Sequence, residues 1–233
     1  MTRFLLLISI ATLPALAFAS DLPSRVEIQY KVSWNGMTIG QAQDKFEHDG
    51  KRFSIVSHTK TVGMAAMLHK LTIHREARGT ITKTGLRSGS FFEERSKKPK
   101  KTARFDWETK QITLDSGNGP QTLPMPEDAF DQSSFAWSFA FAPPSGKEGK
   151  VALTDGRKLS EYRYAIVGKA KLKTAIGELD TVHIKKTLEP GDKRGFEFWL
   201  ATQNHYLPVR ILFTDDDTTV DSIVTQLSPA AHP

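Results

Sequence analysis

The sequence contains no cysteine in 233 residues. Disulfide bonds, thiolate catalysis, cysteine-ligated zinc and iron–sulfur clusters are therefore excluded. The acylated cysteine of bacterial lipoproteins is excluded for the same reason. A chain of this length without disulfides has to be held together by its hydrophobic core.

Long apolar runs are also lacking, except at the start of the chain. Arg3 precedes an almost entirely apolar stretch over residues 4–16, and Ala17-Phe18-Ala19 follows it. This arrangement is typical of a secretory signal peptide, and the run is shorter than the ~20 apolar residues of a transmembrane helix. We therefore expect residues 1–19 to be cleaved, and the mature protein to be periplasmic without a transmembrane span.

The usual signatures of catalysis and metal binding are missing as well. There is no G-x-S-x-G, S-x-x-K or H-E-x-x-H motif, and the 7 histidines show no metal-ligand spacing. Glu93 and Glu94 are adjacent, so they point to opposite faces of a strand and cannot flank one glycosidic bond. Asp131 with Ser133 and Ser134 fits a helix N-cap better than a nucleophile. We therefore expect no catalytic residue, no metal and no cofactor.

Positive charge is in excess, with a formal net charge of +6. An exported protein meets little nucleic acid, so this excess indicates anionic lipid headgroups, the phosphates of lipopolysaccharide or acidic glycans as partners. The alternative interpretation is that the charge only keeps the domain soluble. The densest group of cations lies around Pro99. The candidate anion contacts are Arg95, Lys97, Lys98, Lys100, Lys101 and Arg104. The alternative interpretation is an exposed hairpin end that lysine and proline protect from edge pairing.

Strand periodicity dominates the rest of the chain. Apolar residues alternate with polar ones from Val26 to Trp34, and Asn35-Gly36 follows as a two-residue hairpin turn. Further strands are predicted over residues 37–47, 53–61, 71–82, 86–95, 102–107, 111–114, 150–154, 157–173, 178–188, 194–202, 206–214 and 218–227. We therefore expect a mainly β fold, a curled antiparallel sheet or open β-barrel (β-roll-like) with one or two short helices.

Two segments interrupt this periodicity. Residues 63–68 favour one or two helical turns, whereas residues 131–142 have aromatic residues at every second position, like a strand, between an N-cap and two prolines, like a helix. Both segments are rich in large apolar side chains that could line a ligand cavity or simply fill the core. The candidate ligand-binding residues are Met64, Met67, Leu68, Phe135 and Phe139.

The chain is expected to form one β-rich domain. It would extend over residues 20–228 as a monomer, with two halves joined near 143–149 and a frayed tail over 229–233. Trp199 and Leu207 are expected in or near the core, and Pro208 at a strand edge or bulge.

The C-terminal half carries an ordered series of short motifs. They are Asp155-Gly156-Arg157-Lys158, Tyr162-Arg163-Tyr164, Thr174-Ala175-Ile176-Gly177, Phe198-Trp199-Leu200-Ala201 and Tyr206-Leu207-Pro208-Val209-Arg210. In their order and spacing they resemble the bacterial exported family catalogued as domain of unknown function 3108. The resemblance implies a curled, largely antiparallel sheet in an envelope protein without assigned catalytic residues. Periplasmic lipoprotein carriers of similar architecture enclose an apolar cavity under helical lids, which is a fold-level analogy.

Three functional hypotheses follow. The first is a non-catalytic periplasmic protein that binds or chaperones an apolar or amphipathic envelope component, such as a lipid, a lipoprotein or lipopolysaccharide, with peripheral membrane contact. The second is an envelope enzyme acting on a glycan or lipid with a site assembled only in the fold. The third is a scaffold or assembly factor that binds another protein. A continuous apolar cavity favours the first, clustered buried carboxylates the second and a filled core the third.

Overall fold

The computed structural model describes residues 22–68 and 70–229. The predicted signal peptide lies outside the described residues, and so does the predicted frayed tail apart from Pro229. The elements are β1 (Arg25–Trp34), β2 (Met37–His48), β3 (Arg52–Thr61), α1 (Gly63–Leu68), β4 (Thr72–Thr82), β5 (Gly85–Arg95), β6 (Lys101–Asp106), β7 (Gln111–Asp115), β8 (Gln121–Pro124), β9 (Ala129–Asp131), α2 (Ser134–Ser138), β10 (Glu148–Thr154), β11 (Leu159–Thr174), β12 (Gly177–Lys186), β13 (Arg194–Ala201), β14 (Leu207–Asp215) and β15 (Thr218–Pro229).

All the strands belong to one 15-stranded sheet in the order β8-β7-β6-β5-β4-β3-β2-β1-β15-β14-β13-β12-β11-β10-β9. Neighbouring strands are antiparallel except β9 and β10, which are parallel. The chain passes from one half of this order to the other between β8 and β9, while residues 139–147 lead from α2 into β10. The prediction of a mainly β, curled and largely antiparallel sheet with short helices is confirmed.

The sheet curls until β9 lies against β5. The backbone N–H of Asp131 donates to Ser88 Oγ at 3.1 Å, and that hydroxyl donates to Asp131 Oδ2 at 2.7 Å. Nearby, Gly156 has a φ of +83°, and a Cβ at this position would lie 2.9 Å from Lys101 Cβ. Because β5 is the fourth strand from the β8 edge, the sheet overlaps itself and does not close edge to edge.

Helix α2 occupies the centre of this roll. All its residues from Ser134 to Ser138 are buried. The ring of Trp137 stacks on Phe46 with centroids 4.9 Å apart, whereas Phe135 meets Phe196 and Phe198 on the other side at 5.9 and 5.8 Å. The helix therefore joins two clusters of apolar side chains. Its two serines, Ser134 and Ser138, are buried as well, and their hydroxyl groups form hydrogen bonds with Asp131 and with the backbone N–H of Leu86.

Individual sequence predictions for the strands are also borne out. Asn35 and Gly36 have φ values of 46° and 81°, as the predicted hairpin turn requires. Leu207 is buried in the core, and Pro208 lies at an irregularity of the pairing between β13 and β14. Trp199 is half-buried and packs against the core.

The carboxylate of Asp131 is expected to be essential for stability. It is fully buried and accepts the backbone N–H groups of Ser133 and Ser134, each at 2.9 Å, besides the Ser88 hydroxyl. Asp131→Ala leaves these donors without their acceptor, so the free energy of unfolding in urea should fall by about 2–4 kcal/mol.

Asp106→Ala is the matched control for this variant. The exposed Asp106 carboxylate also accepts two backbone N–H groups, those of Glu108 and Thr109, each at 3.0 Å. Water can replace this carboxylate as the acceptor, so the free energy of unfolding should fall by about 1 kcal/mol or less. Equal losses for both variants would contradict a special role of Asp131.

Candidate functional site

A row of polar side chains crosses the concave face of the sheet. In the strand register Asp44 lies opposite Ser57, Ser57 opposite Arg75, Arg75 opposite Glu93, and Glu93 opposite Lys101. Residues that face each other directly across neighbouring strands share one face of the sheet. These five residues from β2 to β6 form what we name the interior polar row.

The charges of this row neutralise one another. Arg75 Nε donates to Glu93 Oε2 at 2.6 Å, and Lys101 Nζ donates to Glu93 Oε1 at 2.8 Å. Gln132, next to α2, adds a third donor to Glu93 at 3.3 Å. Lys101 also pairs with Asp155 at 3.4 Å. The buried Glu93 carboxylate is therefore fully occupied by groups of the protein itself.

The protein environment shifts the pKa values of the two carboxyl groups of the row in opposite directions. Burial raises the pKa of Asp44, although Ser57, Arg75 and the side chain of Trp137 act against that rise. Burial also disfavours ionised Glu93, but Arg75 and Lys101 together hold the pKa of Glu93 below its ordinary value. Such divergence is known from pairs of catalytic acids and bases.

The occupancy of Glu93 argues against that chemistry. Arg75, Lys101 and Gln132 already hold the Glu93 carboxylate, and Arg75 lies between Glu93 and Asp44 in the row. A catalytic carboxylate has to reach its substrate within hydrogen-bond distance. The interior polar row therefore has the properties of a structural ion network. Among the described residues there is also no group of three or more His, Asp or Glu side chains arranged for a metal ion.

A small cavity lies between this row and α2. Its volume is about 90 Å³, and its lining includes Asp44, Arg75, Gln132, Trp137 and Phe213. A water molecule takes ~30 Å³ of liquid volume, and pockets for organic ligands span roughly 300–1,000 Å³. This cavity can hold a few water molecules but no acyl chain.

The structure separates the candidate ligand-binding residues into two groups. Phe135 and Phe139 are buried in the core that surrounds α2. Met64, Met67 and Leu68 are 79%, 87% and 86% exposed on α1, which lies against β2. The structure does not bring the five side chains together around one cavity, because the aromatic pair fills the core.

One end of the roll collects the exposed apolar side chains of the N-terminal half. Helix α1 connects β3 to β4, and the strand order places it between the β1–β2 turn and the β5–β6 loop. Trp34 and Met37, on either side of the β1–β2 turn, are 44% and 64% exposed. We name α1, the β1–β2 turn and the β5–β6 loop together the rim.

The rim also carries cations without ionic partners. Within the described part of the chain, no carboxylate forms an ion pair with the exposed residues that flank α1 and form the β5–β6 loop, which are Lys60, Lys70, Arg95, Lys97 and Lys98. Lys100 is exposed but pairs with Glu94 at 3.3 Å.

Two of the candidate anion contacts lie elsewhere. Lys101 faces inward and belongs to the interior polar row. Arg104 is exposed farther along β6, away from the loop. The remaining candidates and the apolar residues of α1, which are distant in sequence, thus lie at one end of the molecule.

The whole sheet matches a known family. The family model described as "Protein of unknown function (DUF3108)" matches residues 29–224, from β1 to β15. The chain belongs to the DUF3108 family. Its predicted resemblance is thereby confirmed.

Comparisons outside the family concern the fold. No curated protein matches the sequence of this DUF3108 protein. Its fold is similar to the crystal structure of a β-barrel-like protein of domain of unknown function DUF1849 from Brucella abortus, with a TM-score of 0.59 and 9% identity over 89% of this chain and 98% of that one. At this identity the likeness shows a shared fold alone. Neither helix in the described ranges has the length and apolar character needed to cross a bilayer.

Glu93→Gln should destabilise the DUF3108 protein by about 3–5 kcal/mol near neutral pH, because Arg75 and Lys101 lose their buried counter-charge. Glu94→Gln is the control, since its half-exposed side chain on the opposite face pairs only with exposed Lys100 and should cost less than about 1 kcal/mol. Urea unfolding measures both. Similar losses for the two variants would refute a stabilising role of the interior polar row.

The stabilising effect of Glu93 should depend on pH, and the pKa shift predicts in which direction. The pKa of Glu93 is lower in the folded than in the unfolded chain, so its ionised form stabilises the fold above the ordinary pKa of glutamate. This contribution disappears as the pH falls through the folded pKa. The stability difference between wild type and Glu93→Gln should therefore be largest above about pH 5 and shrink below about pH 4. A difference that stays constant between these values would contradict this interpretation.

Proposed function

We propose that this DUF3108 protein is an exported, non-catalytic envelope protein that binds anionic lipid surfaces through its rim. The observation that carries the proposal is the position of α1. Its side chains Met64, Met67 and Leu68 are exposed to solvent at the same end of the sheet as Lys97 and Lys98, which have no carboxylate partner in the described structure.

The apolar part of the rim favours a partner that removes it from water. Burying one Met or Leu side chain contributes about 1.5–3 kcal/mol, and a monomeric protein rarely leaves three neighbouring ones exposed without a function. Helix α1 has 6 residues, which is far too short to span a bilayer. Such a helix can lie at the boundary between headgroups and acyl chains.

The cationic part of the rim favours an anionic surface. Each Lys or Arg near such a surface contributes about 1 kcal/mol, and the effect is screened by salt. An apolar contact and a basic patch together provide the two signals that stable but reversible membrane attachment requires. The half-exposed Trp34 adds a side chain that prefers the interfacial region.

The turn between β14 and β15 differs in charge from the β5–β6 loop. In this turn Asp215 pairs with Arg194 at 3.0 Å and Asp216 pairs with Lys193 at 2.9 Å, so no cation is left unpaired there by these carboxylates. The strand order places this turn beyond the β1–β2 turn, on the side opposite the β5–β6 loop. An anionic surface would therefore attract the β5–β6 side of the rim most strongly.

The interior supports surface binding over the other hypotheses. The cavity beside α2 is too small for an acyl chain, so internal carriage of a lipid has no support there. The neutralised interior polar row gives no support to a hydrolytic enzyme. A protein partner at the rim would be the outcome if lipid surfaces do not bind.

Export and cleavage of the signal peptide can be tested separately from binding. The protein recovered from the periplasmic fraction of a Gram-negative host should have an intact mass that starts near residue 20, because Ala17-Phe18-Ala19 fits a signal-peptidase site. Recovery from the cytoplasm with Met1 retained would contradict export.

Binding to vesicles tests the rim directly. The mature protein should sediment with vesicles that contain phosphatidylglycerol and only weakly with pure phosphatidylcholine, and added salt should weaken the association. Met67→Asp with Leu68→Asp should lower vesicle affinity at least tenfold. Lys97→Glu with Lys98→Glu should also lower the affinity for the anionic vesicles at least tenfold.

The matched controls are placed at the other end of the sheet. Ile176, in the β11–β12 turn, is 39% exposed, and Lys173 beside it is exposed as well. Ile176→Asp and Lys173→Glu change the same chemistry without touching the rim, so vesicle affinity should stay within about twofold of wild type. Circular dichroism checks that all variants fold. The proposal fails if the rim variants bind vesicles as tightly as these controls.

A further inference from the structure

A pair of histidines faces outward on the convex side of the sheet. His58 on β3 and His74 on β4 lie directly opposite each other in the strand register. Their ring centroids are 4.5 Å apart with an angle of 27° between the planes, whereas the two Nδ1 atoms are 3.3 Å apart. The rings therefore approach each other most closely at their Nδ1 edges.

A carboxylate orients one ring of this pair. His74 Nε2 lies 3.0 Å from Glu76 Oε1. A carboxylate accepts the proton of the nitrogen it contacts, so in neutral His74 the proton sits on Nε2 and the lone pair on Nδ1. This lone pair then faces His58. A histidine that binds a metal through one nitrogen and a carboxylate through the other has this same arrangement.

The spacing of the two Nδ1 atoms fits a shared metal ion. Zinc binds imidazole nitrogen at about 2.0–2.1 Å, so two nitrogens of a tetrahedral site are about 3.3–3.4 Å apart. The observed separation is 3.3 Å. Coordination would require the ring planes to turn further toward each other, and the exposed His58 ring is free of core packing that would prevent this.

The surroundings leave room to complete the coordination. A groove of about 550 Å³ adjoins the pair, and its lining includes Gln41, Gln43 and Thr72 besides the two histidines. This volume accommodates several water molecules at ~30 Å³ each. The groove is polar and reaches the surface, so an ion can enter without any movement of the sheet.

We propose that Nδ1 of His58 and Nδ1 of His74 bind one divalent transition-metal ion that prefers imidazole ligands, Zn²⁺ or Cu²⁺, with water at the remaining positions. Imidazole suits these ions, whereas Mg²⁺ and Ca²⁺ prefer oxygen donors. No described group supplies three or more His, Asp or Glu ligands, so this is an open and exchangeable site. It lies on the convex face of β3 and β4 next to the rim, since Lys60, one of the rim cations, lines the same groove.

Isothermal titration of the mature protein with Zn²⁺ and with Cu²⁺ tests the site. Wild type should bind one ion at this position, Cu²⁺ more tightly than Zn²⁺, and neither Mg²⁺ nor Ca²⁺. His58→Ala and His74→Ala should each weaken binding at least tenfold. Glu76→Ala should weaken it about 10–100-fold, since it removes the partner that orients His74.

His183→Ala is the matched control. His183 also contacts a carboxylate, Glu197 at 2.7 Å, and stacks on an aromatic ring, Trp199 at 4.3 Å, but it has no second histidine opposite. Its loss should leave metal affinity unchanged. Added Zn²⁺ should raise the melting temperature of wild type and of His183→Ala, but not of His58→Ala.

The outcomes separate a metal site from an ordinary contact between two rings. If His58→Ala and His74→Ala both bind Zn²⁺ and Cu²⁺ within threefold of wild type, the proposal is overturned, and the pair is held by hydrogen bonding and stacking alone. His58→Gln keeps a polar side chain at the exposed position. It provides the same comparison if the alanine variant does not fold.

Discussion

The buried carboxylate of Asp131 determines where the curling sheet stops. It ends β9, accepts the first free N–H groups of α2 and binds the Ser88 hydroxyl of β5. Burial raises the pKa of Asp131, while its hydrogen bonds to Ser134 and Ser88 favour the charged form. Because α2 then carries Phe135 and Trp137 into two different apolar clusters, one set of polar contacts positions the whole interior. The Lys101–Asp155 ion pair and the stacking of Trp137 on Phe46 join the same two halves, besides the pairing of β1 with β15.

Local patterns were sufficient to predict most of the strands but not how the roll is filled. Alternation over residues 26–34 and the Asn35-Gly36 turn specify a hairpin whatever surrounds it. In residues 131–142 the same aromatic spacing fits both a strand and a helix that is buried on every side, and only the tertiary structure selects the helix. The short strands β8 (Gln121–Pro124) and β9 (Ala129–Asp131) were not predicted, because so few residues cannot show a period.

The candidate site was harder to predict from the sequence than the strands, because it depends on the register between strands. Asp44, Arg75 and Glu93 show no common motif in the sequence, yet the pairing of β2 to β5 places them in one row. The exposed residues of α1 and the cations of the β5–β6 loop could be predicted separately as candidate contacts. That they belong to the same end of the molecule follows from the strand order. Lys101 was grouped with the loop although it is the first residue of β6, where strand alternation turns it inward.

The pairing of the first strand with the last has a consequence for the order in which the chain can fold. Val26 lies opposite Pro229, and β1 and β15 are both central strands of the sheet. Contacts between residues so distant in sequence form slowly. The ribosome must release almost the entire polypeptide before β1 gains its second neighbour, so a nascent chain cannot complete this sheet. The edge of β1 therefore stays unpaired until the last strand arrives, and an unpaired edge is a surface with which another chain can pair.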